Sequence, residues 1–100
     1  MGAPRLLLHA PTAGALARAR SNAANVIAAD PTAEVRIVAN AEAVAAALAE
    51  PEPRTDPLLL LCGNTLRRLD REAPARLATV PVAMLAIAER VGEGWIYVRA

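Results

Sequence analysis

The chain carries one cysteine, Cys62, and one histidine, His9. These are the side chains best suited to nucleophilic or proton-transfer chemistry near neutral pH. Cys62 follows the apolar run Leu58–Leu61 and precedes Gly63-Asn64-Thr65-Leu66. A thiol between a strand and a helix lies near free backbone N–H groups and the positive helix end. Such placement lowers a thiol pKa from about 8.5 to near 7 or below, giving a nucleophile able to carry a persulfide. The plainer alternative is a small buried hydrophobe that closes a core strand, the usual fate of a free cysteine. His9 ends the run Arg5–His9. It is either a hydrogen-bonded structural residue or a charge that helps hold an anionic sulfur species. Asn22 and Asn25 sit three apart on one helical face, although Asn is a weak helix former. They either face solvent, cap a neighbouring loop, or hydrogen-bond the cluster around Cys62. With Asn64 and Thr65 beside the thiol, the candidate site is Cys62 surrounded by His9, Asn22, Asn25, Asn64 and Thr65.

The elements that must position these residues follow from hydropathy and breakers. Arg5–His9 is an apolar run typical of a strand buried on both faces. Pro11, Thr12 and Gly14 break it, and a helix is expected over Ala13–Ala29 with Leu16, Ala19, Ala23, Val26 and Ile27 on one face. Asp30-Pro31-Thr32 stops that helix. Glu34–Val38 alternates as a strand, and Asn40 is the expected N-cap of a helix over Ala41–Ala49. Pro51, Pro53 and Pro57 bracket an exposed connection. Leu58–Leu61, ending in Cys62, has the signature of a central strand. A short helix is expected over Thr65–Leu69, a solvated charged stretch over Arg67–Arg76, and a fourth strand over Leu77–Val80 before Pro81. Met84, Ile87, Ala88 and Val91 give the face of a last helix stopped at Gly92, and Trp95–Val98 is a fifth strand. Trp95 and Tyr97 share one face of that strand, where packing is their expected duty.

Strands alternating with helices imply crossover units: one α/β domain over the 100 residues, with a mostly parallel sheet and helices on both faces. Ligands of open parallel sheets bind beyond the carboxyl ends of the strands. His9, Asn40, Cys62 and Pro81 all fall at that edge, so the sole imidazole and the sole thiol are expected on a common rim.

Composition narrows the function classes. Net charge is +1, every basic residue is Arg, and no basic stripe appears. With two aromatics in the chain, nucleic-acid binding is not expected. One Cys and one His are too few for a zinc site, and no metal or cofactor is expected. The absence of Lys removes phospho-receiver chemistry, and there is no Gly-rich phosphate loop, no paired redox cysteine and no Gly-x-Ser-x-Gly elbow. Leu6–Leu8 is too short for a leader core or a membrane span, so the expected location is the cytoplasm, away from membranes.

The motif Cys62-Gly63-Asn64-Thr65-Leu66-Arg67 resembles the Cys-x-Asn-Thr-Leu motif of small stand-alone DsrE-like (YchN-like) proteins. The ending Glu93-Gly94-Trp95-Ile96-Tyr97-Val98-Arg99 is similar to their Glu-Gly-Trp-Ala-Tyr-Ile-Arg terminus, and the strand ending in His9 and the segment Ser21–Asn25 match in order. Pro81-Val82-Ala83 departs from the Pro-Ser-Gly-Val stretch of relatives, and Leu69–Ala78 follows the family only loosely. The resemblance implies a three-layer α/β/α sandwich around a five-stranded parallel sheet, and homo-oligomers, commonly dimers, trimers or hexamers. It also implies sulfur relay, with Cys62 as the residue that carries sulfane sulfur between donor and acceptor proteins, at most a sulfurtransferase-like activity. The alternative is a non-enzymatic oligomeric module that binds a small ligand or serves a structural role.

Overall fold

A computed structural model describes residues 2–100. Its strands are β1 (Arg5–Ala10), β2 (Glu34–Ala39), β3 (Leu59–Cys62), β4 (Ala78–Val80) and β5 (Ile96–Arg99). Its helices are α1 (Ala13–Ala29), α2 (Glu42–Ala49), α3 (Gly63–Arg68) and α4 (Ala83–Gly92), with a 3-10 turn at Asp56–Leu58. The strands form one sheet in the order β4-β3-β2-β1-β5, and every pairing is parallel. This is the α/β sandwich expected from the alternation of elements.

Side chains alternate across a strand, so the register sorts the core into two halves. Leu8 pairs with Ile37 and Ile37 with Leu59. These face the cluster that includes Leu16, Ala19 and Ala23 of α1, Val44 and Ala47 of α2, and Leu66 of α3. Leu7, Val38 and Cys62 face the other way, onto Ala83 and Ile87 of α4 and onto Trp95. Burying a leucine such as Leu7 or Leu61 contributes about 1.5–3 kcal/mol. The many alanines let α1 and α2 sit close to the sheet and to each other: Ala19, Ala23, Ala43 and Ala47 are all fully buried.

Local chemistry sets the element ends. Thr12 caps α1 by accepting from the Ala15 N–H at 3.0 Å. The Asp30 carboxylate accepts from both the N–H and the hydroxyl of Thr32, closing the turn into β2. Asn40 does not cap α2 as its position implies. Its side-chain oxygen is taken by His9, and the cap position falls on Ala41, with no side-chain bond and a φ of 49°. A non-glycine residue held there carries strain of about 1–3 kcal/mol. α3 starts at Gly63, earlier than expected, directly after Cys62.

Two further expectations need correction. Of the apolar face expected for α4, Ile87 packs against the core, but the helix otherwise buries Ala83 and Ala86, while Met84 and Val91 are 53% and 46% exposed. The helix turns its alanine edge to the sheet, which brings the Ala83 N–H onto Cys62. The stretch Arg67–Arg76 is not wholly solvated either. Arg76 donates to Asp56 at 2.9 Å and to the carbonyls of Ala47 and Leu48 at the end of α2, where a cation also meets the negative helix end.

Asp56 is the hub of a buried polar cluster on the α1 face. Arg20 of α1, 7% exposed, donates to Asp56 and Thr55 and also pairs with the exposed Glu52. Removing one partner from a buried pair leaves the other charge uncompensated, which costs about 3–5 kcal/mol. Asp56→Ala is therefore expected to lower unfolding free energy by about that amount in a denaturant titration. Glu52→Ala, which removes an exposed partner, should cost under about 1 kcal/mol.

Candidate functional site

The connections decide where a site can form. α1, α2 and α3 follow β1, β2 and β3 on one face of the sheet, whereas α4 follows β4 on the other. Adjacent strands β3 and β4 thus send their chains to opposite sides, and a crevice opens at their carboxyl ends. Cys62 is the last residue of β3 and pairs with Val80, the last of β4. Gly63 fits closely beside it. A Cβ at that position would lie 3.0 Å from the carbonyl oxygens of Val80 and Pro81, so the β4–α4 turn would have to give by a few tenths of an ångström. The missing Cβ lets the start of α3 approach that turn.

The crevice is a cleft of about 570 Å³. Its walls include Asn40, Ala41 and Glu42 from the start of α2, Cys62, Asn64 and Thr65, and Val82, Ala83 and Met84 from the start of α4. Arg68 and Glu42 are its charged lining residues. Among the described residues, no group of three or more His, Cys, Asp or Glu is arranged to hold a metal ion.

Cys62 is 5% exposed, a buried sulfur on the wall of the cleft. The Ala83 N–H donates to its Sγ at 3.4 Å. Burial is the largest single influence on the thiol and pushes its pKa up. The N–H groups of Thr65, Ala83 and Asn64, with the Thr65 hydroxyl, together outweigh burial and bring the thiol below its ordinary value. Hydrogen-bond donors favour the anion, so the arrangement is that of a stabilised thiolate. Thr65 has a second duty: its oxygen accepts from the N–H of Ala41 at 3.1 Å and so steadies the strained start of α2.

His9 lies on the same sheet face and edge as Cys62 but does not touch it. β2 runs between their strands, which sets the two backbones about 10 Å apart laterally. His9 is 8% exposed, and both ring nitrogens are engaged, Nδ1 with the Tyr97 hydroxyl at 2.7 Å and Nε2 with Asn40 Oδ1 at 3.0 Å. Asn40 lies between the imidazole and the thiol, and of the three only Asn40 and Cys62 line the cleft. Asn64 contributes its backbone, because its side chain accepts from Arg67 at 2.7 Å.

Asn22 and Asn25 are not part of this cluster. Both are exposed on α1, which covers the opposite face, so the sheet separates them from Cys62. Their solvent-facing reading is the correct one. A larger hollow of about 750 Å³ also lies on that face, between α1 and the connection after α2. It contains neither Cys62 nor His9, and its buried cation, Arg20, is already paired. Asn40 is the site residue that sequence reading assigned to another duty. Its place at the end of β2 was the available signal, since strand ends at this edge face the crevice.

No family model matches the chain, and no curated protein matches it. Among solved structures, it is similar to a protein of unknown function, MTH1491, from Methanobacterium thermoautotrophicum. The TM-score is 0.78 at 20% identity, covering 97% of this chain and 99% of that one. The likeness shows the fold.

Two outcomes follow from the thiol's surroundings. Thr65→Val removes a donor to the sulfur, so alkylation of Cys62 at neutral pH should slow several-fold relative to the native chain, with the pH profile moving toward that of free cysteine. The second concerns stability. The folded thiol ionises below the unfolded one, so between those two values the unfolded chain binds more protons and stability rises with pH. The contribution is complete above the unfolded value of about 8.5 and lost as pH falls through the folded value. Denaturant titrations across that interval should show the rise, and Cys62→Ser should flatten it.

Proposed function

We propose that this protein is a DsrE-like sulfur carrier that holds sulfane sulfur as a persulfide on Cys62 and passes it between partner proteins. The observation that carries the reading is a thiol at the switch point of the sheet, favoured as an anion by four nearby donors and set in the wall of a cleft. The Cys62-Gly63-Asn64-Thr65-Leu66 and Glu93-Gly94-Trp95 motifs support the family assignment, together with the five-stranded parallel sheet.

The chemistry balances without an added oxidant. The Cys62 thiolate attacks the outer sulfur of a donor persulfide, R–S–SH. The donor S–S bond breaks, R–S⁻ leaves with the electron pair, and Cys62–S–SH forms. An acceptor thiolate then takes the outer sulfur in the same way and regenerates the Cys62 thiolate. The protein needs no cofactor or metal for this step, and its activity is at most that of a sulfurtransferase.

The carrier would work as a homo-oligomer in the cytoplasm. Six of the exposed large apolar side chains, Met84, Leu85, Val91, Ile96, Tyr97 and Val98, lie on α4 and β5. β5 is also a sheet edge, and its Ile96-Tyr97-Val98 run carries none of the charges or prolines that usually blunt an edge. A second copy of the chain is the proposed cover. No helix among the described residues is long and apolar enough to cross a membrane.

A second reading has its own support. Much of the cleft wall is apolar, with Ala41, Ala45, Leu69, Val82, Ala83 and Met84, as suits a small-ligand binding module with no covalent step.

Mass spectrometry after exposure to a persulfide donor separates the two. The carrier reading expects a gain of one sulfur on Cys62, lost in Cys62→Ser. No gain, under conditions that load a known carrier, contradicts it and leaves the binding reading. Light scattering tests assembly: the native chain should give a mass that is a multiple of one chain, and Val98→Lys should lower it. A native mass of one chain ends the oligomer proposal.

A further inference from the structure

Sequence alternation and register place Asn40 and Cys62 side by side. Ala39 pairs with Leu61, so Asn40, the residue after β2, is one step further along, abreast of Cys62 at the end of β3. Both side chains turn to the α4 face, since Asn40 meets His9 there and Cys62 packs with Leu7 and Ala83. The two line the same cleft, with backbones about 4.8 Å apart.

The polarity of the Asn40 amide is set from behind. Its Oδ1 can only accept, so His9 Nε2 carries the hydrogen of that bond. In the neutral imidazole, His9 Nδ1 is then the acceptor and the Tyr97 hydroxyl donates to it. The chain Tyr97–His9–Asn40 therefore runs in one direction across β5, β1 and β2. It occupies the Asn40 oxygen and leaves its Nδ2 hydrogens without a partner among the described residues, in a residue that lines the cleft. Asn40 makes no hydrogen bond to Cys62 Sγ itself. A second sulfur on Cys62 would lie about 2 Å from Sγ, at the wall of the cleft that Asn40 also lines.

The geometry points to Asn40 as the binding residue for the outer sulfur held on Cys62, with His9 and Tyr97 as positioning residues that fix its amide donor-first. This deepens the sulfur-carrying reading and rests on it. It also gives the buried imidazole a duty. Without the Tyr97 hydroxyl, the hydrogen can move to Nδ1. The Asn40 amide would then turn over and present its oxygen to an anionic sulfur, which repels it.

The experiment compares persulfide loading of Cys62, at fixed donor concentration, in the native chain and four variants. Asn40→Ala removes the donor. Asn40→Asp removes it but keeps an acceptor for His9, which protects the fold. Both should lower the loading equilibrium by about tenfold or more, the worth of one hydrogen bond to a charged group. Alkylation of the unloaded thiol in Asn40→Ala should stay within about twofold of native, because a hydrogen bond Asn40 does not make to Sγ cannot be lost. His9→Phe should reduce loading, yet add nothing when combined with Asn40→Ala, as expected for a residue acting through another. In Tyr97→Phe, nitrogen-15 shifts of the imidazole should move from the Nε2–H tautomer toward a mixture. Native-like loading in both Asn40 variants overturns the inference while leaving the carrier reading intact, and so does a His9→Phe effect that multiplies with Asn40→Ala. Failure of the native chain to load overturns both.

Discussion

The site depends on a constraint of topology: β3 and β4 are neighbours whose chains leave toward opposite faces of the sheet. The crevice between them is a consequence of that divergence, and Cys62 occupies the last position of β3 before it. The approach of the α4 start, permitted by the missing side chain at Gly63, puts the Ala83 amide on the sulfur. Burial alone would make Cys62 an inert core thiol. The donors around it outweigh that effect and hold the thiol below its ordinary pKa.

The rest of the molecule holds this edge in place. On the α1 face, Arg20, Asp56 and Arg76 tie the first helix, the 3-10 turn and the end of α2 together. On the cleft side, Thr65 links the thiol to the backbone of Ala41, whose strained conformation needs such an anchor. Backbone strain of this kind persists only where surrounding contacts over-determine it, and it gathers at working sites. The α4 face is less completely covered than the α1 face. Its single helix leaves apolar side chains outward, while its alanine edge serves the sulfur.

Much of this was legible in the residues. Apolar runs such as Leu6–Leu8 and Leu58–Leu61 marked the buried parallel strands, and Pro and Gly marked their ends, because those signals are local. The shared edge of His9 and Cys62 followed from the rule that ligands gather at strand ends. What was hidden depends on contacts distant in sequence. Asn40 follows the local rule for a helix cap, and only the fold brings His9 to its oxygen. Asn22 and Asn25 sit on a helix whose choice of face is a property of the whole sheet. Arg20 and Asp56 meet across 36 positions, so neither charge announces its burial. The orientation of α4 was hidden because Met84 and Leu85, large apolar side chains, are exposed while alanines face the sheet.

The most direct test of this account is the ionisation of Cys62 itself, followed by ultraviolet absorbance of the thiolate during a pH titration, with the Cys62→Ser protein as the blank. The account predicts a midpoint clearly below the value of an unperturbed thiol, about 8.5. A midpoint at or above that value would mean that burial, not the ring of donors, governs the sulfur, and would contradict the central claim.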